Sequence, residues 1–158
     1  MTRNNFILFF IIIGLSFSCS NNSNDKNIEK SYHKNGNVEI KKYYNNNEIV
    51  YNKTYYRNGA LKSIFKYNEG IKKEELTGYR KSYFKNSGAL ESEMYLVDGK
   101  INGEQKLYKS DGSLYIISNY VDNILVGEKK YYNSEGEIEN FEFYDSHGKL
   151  IEDKNNNE

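Results

Sequence analysis

Apolar and polar side chains alternate with period two in five stretches of this chain: Asn37 to Tyr44, Ala60 to Tyr67, Ala89 to Leu96, Ser113 to Tyr120 and Glu137 to Tyr144. In each, one parity carries the more apolar residues, as in Leu61, Phe65 and Tyr67, in Leu90, Met94 and Leu96, or in Leu114, Ile116 and Tyr120. Alternation over such lengths marks a strand with one drier face, and the β-branched and aromatic residues here favour a pleated backbone over a helix. Turn residues follow four of the stretches: Asn45-Asn46, Glu69-Gly70, Asp98-Gly99 and Asp122-Asn123. Each pair ends in glycine or asparagine, which accept positive φ at least cost, so each predicts a tight hairpin, most strongly at Asp98-Gly99. Beyond two of these turns, Gly103 and Gly127 precede polar-aromatic return strands, Glu104 to Tyr108 and Glu128 to Tyr132.

The strands belong to a repeat. An aromatic residue, a glycine four positions on and an aliphatic residue two beyond it recur as Tyr32/Gly36/Val38, Tyr55/Gly59/Leu61, Phe84/Gly88/Leu90, Tyr108/Gly112/Leu114, Tyr132/Gly136/Ile138 and Tyr144/Gly148/Leu150. The glycines are spaced 23, 29, 24 and 24 residues apart before a short last copy, the longest interval holding extra residues around Lys73 to Leu76. Such a period marks a supersecondary unit that cannot bury its apolar face alone and therefore stacks in tandem. Each glycine is expected to let the backbone turn sharply or pass beneath a ring, with the preceding tyrosine covering the backbone it exposes. The fold class that follows is all-β, an elongated antiparallel sheet of tandem β-hairpins over residues 31–151. With roughly ten strands at about 4.8 Å each it would extend near 50 Å.

The scheme Tyr-x-x-x-Gly-x-Leu, then an aromatic, then Gly or Asn, then Gly-Glu-x-x-x-Tyr, resembles the bacterial variant of the MORN repeat, found in YwqK-type antitoxin proteins and in many bacterial lipoproteins. Asp98 to Tyr108 is the closest segment and Asn123 to Tyr132 the next, and the resemblance spans Tyr32 to Ile151. It implies β-hairpins placed side by side in a twisted sheet, and an antitoxin or immunity role as one possible function. The first copy, with Val50 where the second glycine would stand, and the truncated last copy depart from the scheme, as terminal copies that cap an array do.

The N-terminus carries a separate signal. Arg3 precedes an apolar run from Phe6 to Phe17, the length of a secretory h-region and short of a bilayer span. The run ends in Leu15-Ser16-Phe17-Ser18-Cys19, with the chain's single cysteine at the expected cleavage point. This resembles a lipoprotein lipobox, with small Ser18 before the cysteine and the aliphatic Leu15 four before it rather than three. The resemblance implies a signal peptide over residues 1–18 and acylation of Cys19; the polar, aperiodic stretch that follows makes residues 19–30 the lipidated cysteine and a tether. Ser20 rather than aspartate after the cysteine is compatible with an outer-membrane destination. Residues 152–158, rich in Asn and charge, are expected to fray.

Composition narrows the function classes. Hydrophobic residues make up 37%, much of it the 16 tyrosines, which suits a sheet one layer thick where rings are buried and hydroxyls stay wet. The 22 basic and 22 acidic residues cancel. Lys-Lys pairs beside tyrosines, such as Lys41/Lys42 and Lys129/Lys130, are interleaved with acids, so no nucleic-acid partner is expected. His33 and His147 sit in opposite end copies as turn residues, Glu91 and Glu93 are expected to face solvent, and Asp98, Asp111 and Asp122 are isolated turn acids. No catalytic residue, metal ligand or cofactor site is therefore predicted. The expectation is a non-enzymatic, membrane-anchored envelope protein that binds a protein partner. Its expected binding face is Tyr43, Ile64, Tyr95, Tyr115, Ile117, Phe141 and Phe143, opposite the drier set. Antitoxin activity and glycan or cell-wall binding are the alternatives.

Overall fold

The computed structural model describes residues 27–70 and 75–155. Its strands are β1 (Ile28–Tyr32), β2 (Val38–Asn45), β3 (Glu48–Tyr55), β4 (Leu61–Tyr67), β5 (Gly78–Tyr83), β6 (Leu90–Val97), β7 (Lys100–Tyr108), β8 (Leu114–Val121), β9 (Ile124–Tyr132), β10 (Ile138–Tyr144) and β11 (Leu150–Asn155). Each pairs antiparallel with its chain neighbour, giving one 11-stranded open sheet in sequence order. The five alternating stretches are β2, β4, β6, β8 and β10, and the return strands fall within β7 and β9. The sheet also runs beyond residues 31–151. β1 begins at Ile28, inside the expected tether, and β11 reaches Asn155, inside the expected tail, because each is zipped to its inner neighbour through Glu29↔Lys42 and Glu142↔Asp153. The expected signal peptide, Cys19, the tether up to residue 26 and residues 156–158 lie outside the described residues.

Two kinds of turn join the strands. In the repeat-motif loops, the backbone N–H of His33, Tyr56, Lys109, Asn133 and Asp145 bonds the carbonyl four residues on, and the motif glycine N–H bonds back to the first residue's carbonyl. This is the three-residue hairpin loop whose last position must be left-handed; Gly112 there has φ +92°. The expectation that a ring crowds these glycines does not hold, since a Cβ at Gly36, Gly59, Gly88, Gly112 or Gly136 would meet nothing within 4 Å. Conformation alone selects glycine. The third loop is one residue longer, so the residue that pairs with Leu90 is Tyr83 and not Phe84, which lies in the loop.

The second kind is the two-residue turn. Asp98 and Gly99, and Asp122 and Asn123, have positive φ at both positions, as predicted. The first such turn is Asn46-Asn47 (φ 47° and 67°), one residue later than Asn45-Asn46, because Asn45 still pairs with Glu48. Glu69-Gly70 does not close a tight hairpin. The chain returns only at Gly78, where Asn68 N–H bonds Thr77 O at 3.2 Å, and the returning segment clasps the next turn through Gly99 N–H to Leu76 O at 3.0 Å.

Every motif loop is followed by the same β-bulge. Tyr32↔Val38 is followed by Ser31↔Ile40, Tyr55↔Leu61 by Thr54↔Ser63, and Tyr108↔Leu114 by Leu107↔Ile116, each leaving one extra residue on the outgoing strand. The bulge breaks the strict alternation. Leu61, Leu90 and Leu114 join the side of their tyrosine partners, whereas Phe65, Tyr67, Leu96 and Ile116 are buried on the other side with Ser63, Ser92 and Ser118. That dry face holds the core, in which Ile49, Phe65, Tyr67 and Leu96 are packed by Tyr44, Met94 and Ile101.

Candidate binding face

Register fixes which side chains stand beside one another, because directly paired residues point to the same side of a sheet. On the face opposite the core, Lys30 faces Lys41, which faces Lys53, and the line continues through Ile64, Lys81, Glu93, Lys106, Ile117, Lys130, Phe141 and Lys154. A second line runs beside it over the first six strands: Ile28, Tyr43, Tyr51, Lys66, Tyr79 and Tyr95. The lysines of alternate strands recur about every 9.6 Å, twice the interstrand spacing.

Six of the seven residues of the expected face lie on this side: Tyr43, Ile64, Tyr95, Ile117, Phe141 and Phe143, the last between Glu128 and Glu152. Tyr115 does not join them. It is the extra residue of the β8 bulge, and its ring lies 6.4 Å from that of Tyr131, which pairs with Ile116 of the dry side. The lysine line was absent from the expected face. Its signature is Lys-x-Tyr ending each return strand, at Lys30/Tyr32, Lys53/Tyr55, Lys81/Tyr83, Lys106/Tyr108 and Lys130/Tyr132, and choosing Phe84 as the third motif aromatic hid the series.

The two halves of the lysine face differ in electrostatics. In the C-terminal half each lysine of the line is neutralised on its own strand, by Glu104 to Lys106 at 3.1 Å, Glu128 to Lys130 at 2.7 Å and Glu152 to Lys154 at 2.8 Å. At the boundary Lys81 pairs with Glu93 at 3.1 Å. In the N-terminal half, Lys41 Nζ stands 5.5 Å from the centroid of Tyr55, and Lys53 Nζ stands 5.8 Å from those of both Tyr43 and Tyr51. Those two rings stack at 4.2 Å with an interplanar angle of 18°, and Tyr79 meets Tyr95 edge to face at 4.8 Å. Where the halves meet, the wide bulge around Gly103 leaves an open depression of about 480 Å³, with Tyr79, Lys81, Tyr95, Glu104 and Lys106 on its walls.

The other expected site elements are placed as follows. His33 is not a free turn residue: it is partly buried, with Nε2 donating to Tyr55 O at 3.0 Å and Nδ1 3.6 Å from Glu39. It staples the first loop to the next copy, as Tyr56 OH does to Tyr83 O at 3.1 Å. His147 is exposed in the loop between β10 and β11. Glu93 does not simply face solvent but accepts from Tyr108 OH at 2.7 Å, which together with Lys81 holds its carboxyl below the usual range against the opposing effect of burial. Asp111 and Asp145 serve their own loops, accepting backbone N–H bonds from Ser113 and from His147 and Lys149. Among the described residues no group of three or more His, Cys, Asp or Glu side chains is placed to hold a metal ion.

Two phenols are tuned strongly. Tyr108 is pushed up to about 12 by burial and by its bond to Glu93, and Tyr44 to about 12 by its bond to Glu29 and by burial. An unfolded phenol ionises near 10, so these contributions to stability are intact below about pH 10 and lost as pH rises toward 12. Absorbance of ionised tyrosine should therefore still be climbing above pH 11, with part of the late rise removed in Tyr108→Phe. A titration complete by about pH 11 in the folded protein would contradict both assignments.

Compared with protein-family models and with curated protein sequences, the chain matches none.

Proposed function

We propose that this protein is a non-enzymatic binding platform of the bacterial envelope, a MORN-like repeat lipoprotein held to the membrane through acylated Cys19, with the lysine face as its binding surface. The supporting observation is the register: one side of the sheet aligns cations and tyrosine rings across successive strands, while the apolar core is confined to the other side. Tyrosines held on a rigid sheet lose little side-chain entropy when a partner covers them, which suits recognition of another macromolecule. A protein partner is the primary reading. Lys41 and Lys53, which lie over tyrosine rings and make no salt bridge with a described carboxylate, favour a second, an envelope glycan.

The chain from Ser20 to Glu158 is expected to be retained saturably on envelope extract, and Tyr79→Ala/Tyr95→Ala to reduce that retention about fivefold or more, a loss of about 1 kcal/mol. Equal retention of the variant would remove the lysine face from the reading. The anchor is tested separately by palmitate labelling, which Cys19→Ala should abolish; undiminished labelling would sink the lipoprotein assignment.

A further inference from the structure

Lys30, Lys41 and Lys53 stand directly opposite one another on three adjacent strands, an arrangement that destabilises a sheet unless something offsets the repulsion. Among the described residues neither Lys41 nor Lys53 makes a salt bridge with a carboxylate, and the two ammonium groups lie over tyrosine rings instead. Three strands of the C-terminal half show the remedy available to this chain, a glutamate two residues before the lysine, and at the same positions before Lys30, Lys53 and Lys81 stand Ile28, Tyr51 and Tyr79. Lys41 does have Glu39 two residues before it, but Glu39 is the extra residue of the β2 bulge and stands 3.6 Å from His33 Nδ1. Lys81 is offset instead by Glu93 on the next strand. The strands that carry Lys41 and Lys53 also carry the stacked Tyr43 and Tyr51.

We propose that the lysine face of β1 to β6 binds a linear polysaccharide carrying an anionic group at regular intervals, laid across the strands; this rests on the lysine face being the binding surface. A chain crossing the strands meets Lys30, Lys41 and Lys53 on three neighbouring strands at steps of about 4.8 Å, with Lys81, itself paired with Glu93, two strands beyond, so a polymer with closely spaced anionic groups is matched over β1 to β3. Tyr43 and Tyr51 are closed against each other at 4.2 Å with Lys53 beside them, which presents hydroxyls and ring edges next to cations. A hydroxyl- and carboxylate-bearing chain is satisfied by those groups. Bases of a nucleic acid need open ring faces on which to stack. The depression beside Tyr79 and Tyr95 gives the far end of the track room for a sugar unit.

The test uses the full chain in a non-ionic detergent with polygalacturonate as probe, and neutral dextran, polyglutamate and a single-stranded oligonucleotide as competitors. Polygalacturonate should bind, about tenfold more weakly when salt is raised from about 50 to about 500 mM, because the contacts are exposed and screened. Lys41→Gln/Lys53→Gln should weaken binding about tenfold while leaving the melting temperature unchanged or raised, since it removes a like-charge contact. Lys130→Gln/Lys154→Gln, in the neutralised half, should change binding by less than about twofold. Absence of polygalacturonate binding with envelope retention intact would overturn this proposal and leave the platform standing; loss of both would overturn the two together. Equal binding of dextran, tighter binding of the oligonucleotide or polyglutamate, or equal effects of the two double variants would each overturn it as well.

Discussion

Gly78→Ala is expected to destabilise the protein by about 3–5 kcal/mol, more than substitution at any other glycine of the sheet. Two costs coincide at this residue. Its φ of +151° is one that residues with a Cβ rarely adopt, and an added Cβ would lie 2.0 Å from the carbonyl oxygen of Lys66 and 3.0 Å from Cα of Tyr67. Backbone cannot yield as a flexible side chain would. Relief requires parting β4 from β5 at Tyr67↔Gly78, and the disturbance reaches Leu96, the partner of Gly78 on its other side and a member of the core. Gly103→Ala is the control: φ is +84° there and nothing lies within 4 Å of the added atom, so only the left-handed backbone is penalised, by about 1–2 kcal/mol. Urea midpoints of the two variants should fall in that order. A Gly78→Ala midpoint equal to the wild type would mean that β4 and β5 do not pair as described.

Strands and loops were legible because each is specified locally. Alternation marked β2, β4, β6, β8 and β10, and Asp98-Gly99 and Asp122-Asn123 turned where their chemistry said. Failures came where a non-local pairing decides. Glu69-Gly70 carries the same local signal as a hairpin, yet the strand that follows pairs only from Gly78, and just before it Leu76 O and Thr77 Oγ1 accept from the backbone N–H groups of Gly99 and Asp98 in the next turn. Phe84 satisfies the motif spacing, but one added loop residue hands its place to Tyr83. The asparagines could be taken as compositional bias, yet Asn35 Nδ2 and Asn37 Nδ2 both donate to Arg57 O in the next copy, at 2.9 and 2.7 Å.

The candidate face shows the same division. Period two placed Tyr43, Ile64 and Tyr95 on the side away from the core without any coordinates. The bulge that follows each motif loop shifts the parity of one residue per copy, and Tyr115 is the one for which that mattered. Interleaving of lysine and glutamate along the chain suggested a neutral surface. Alternation sends Glu29 to the side of Lys42, to which it is bonded at 3.2 Å, while Lys30 goes to the other side with Lys41 and Lys53. A mixed sequence thus folds into a segregated surface, and that follows only once the copies are placed in register.

Phe65→Ala is expected to cost about 3–4 kcal/mol, whereas Ile64→Ala, its neighbour on the lysine face, should cost about 1 kcal/mol. Phe65 is only 6% exposed, its ring meets Tyr67 edge on at 4.6 Å, and it lies in the cluster with Ile49 and Leu96. A sheet with few buried apolar side chains has little to collapse into the space a lost ring leaves, so the cavity persists and the penalty stays near the full value. The loss should also be localised. Each strand hydrogen-bonds only to its neighbours, and the core cluster is confined to β2 to β7, so stability is close to a sum over hairpins and their shared edges, and damage at β4 weakens β3 to β6 before it reaches β8 and β9. Hydrogen exchange should therefore quicken at the amides of Asn52, Phe65 and Arg80 and stay slow at those of Ile116 and Ser118. Uniform loss of protection from β1 to β11 would show that the sheet unfolds as one cooperative body, and the account of independently stacked copies would fail with it.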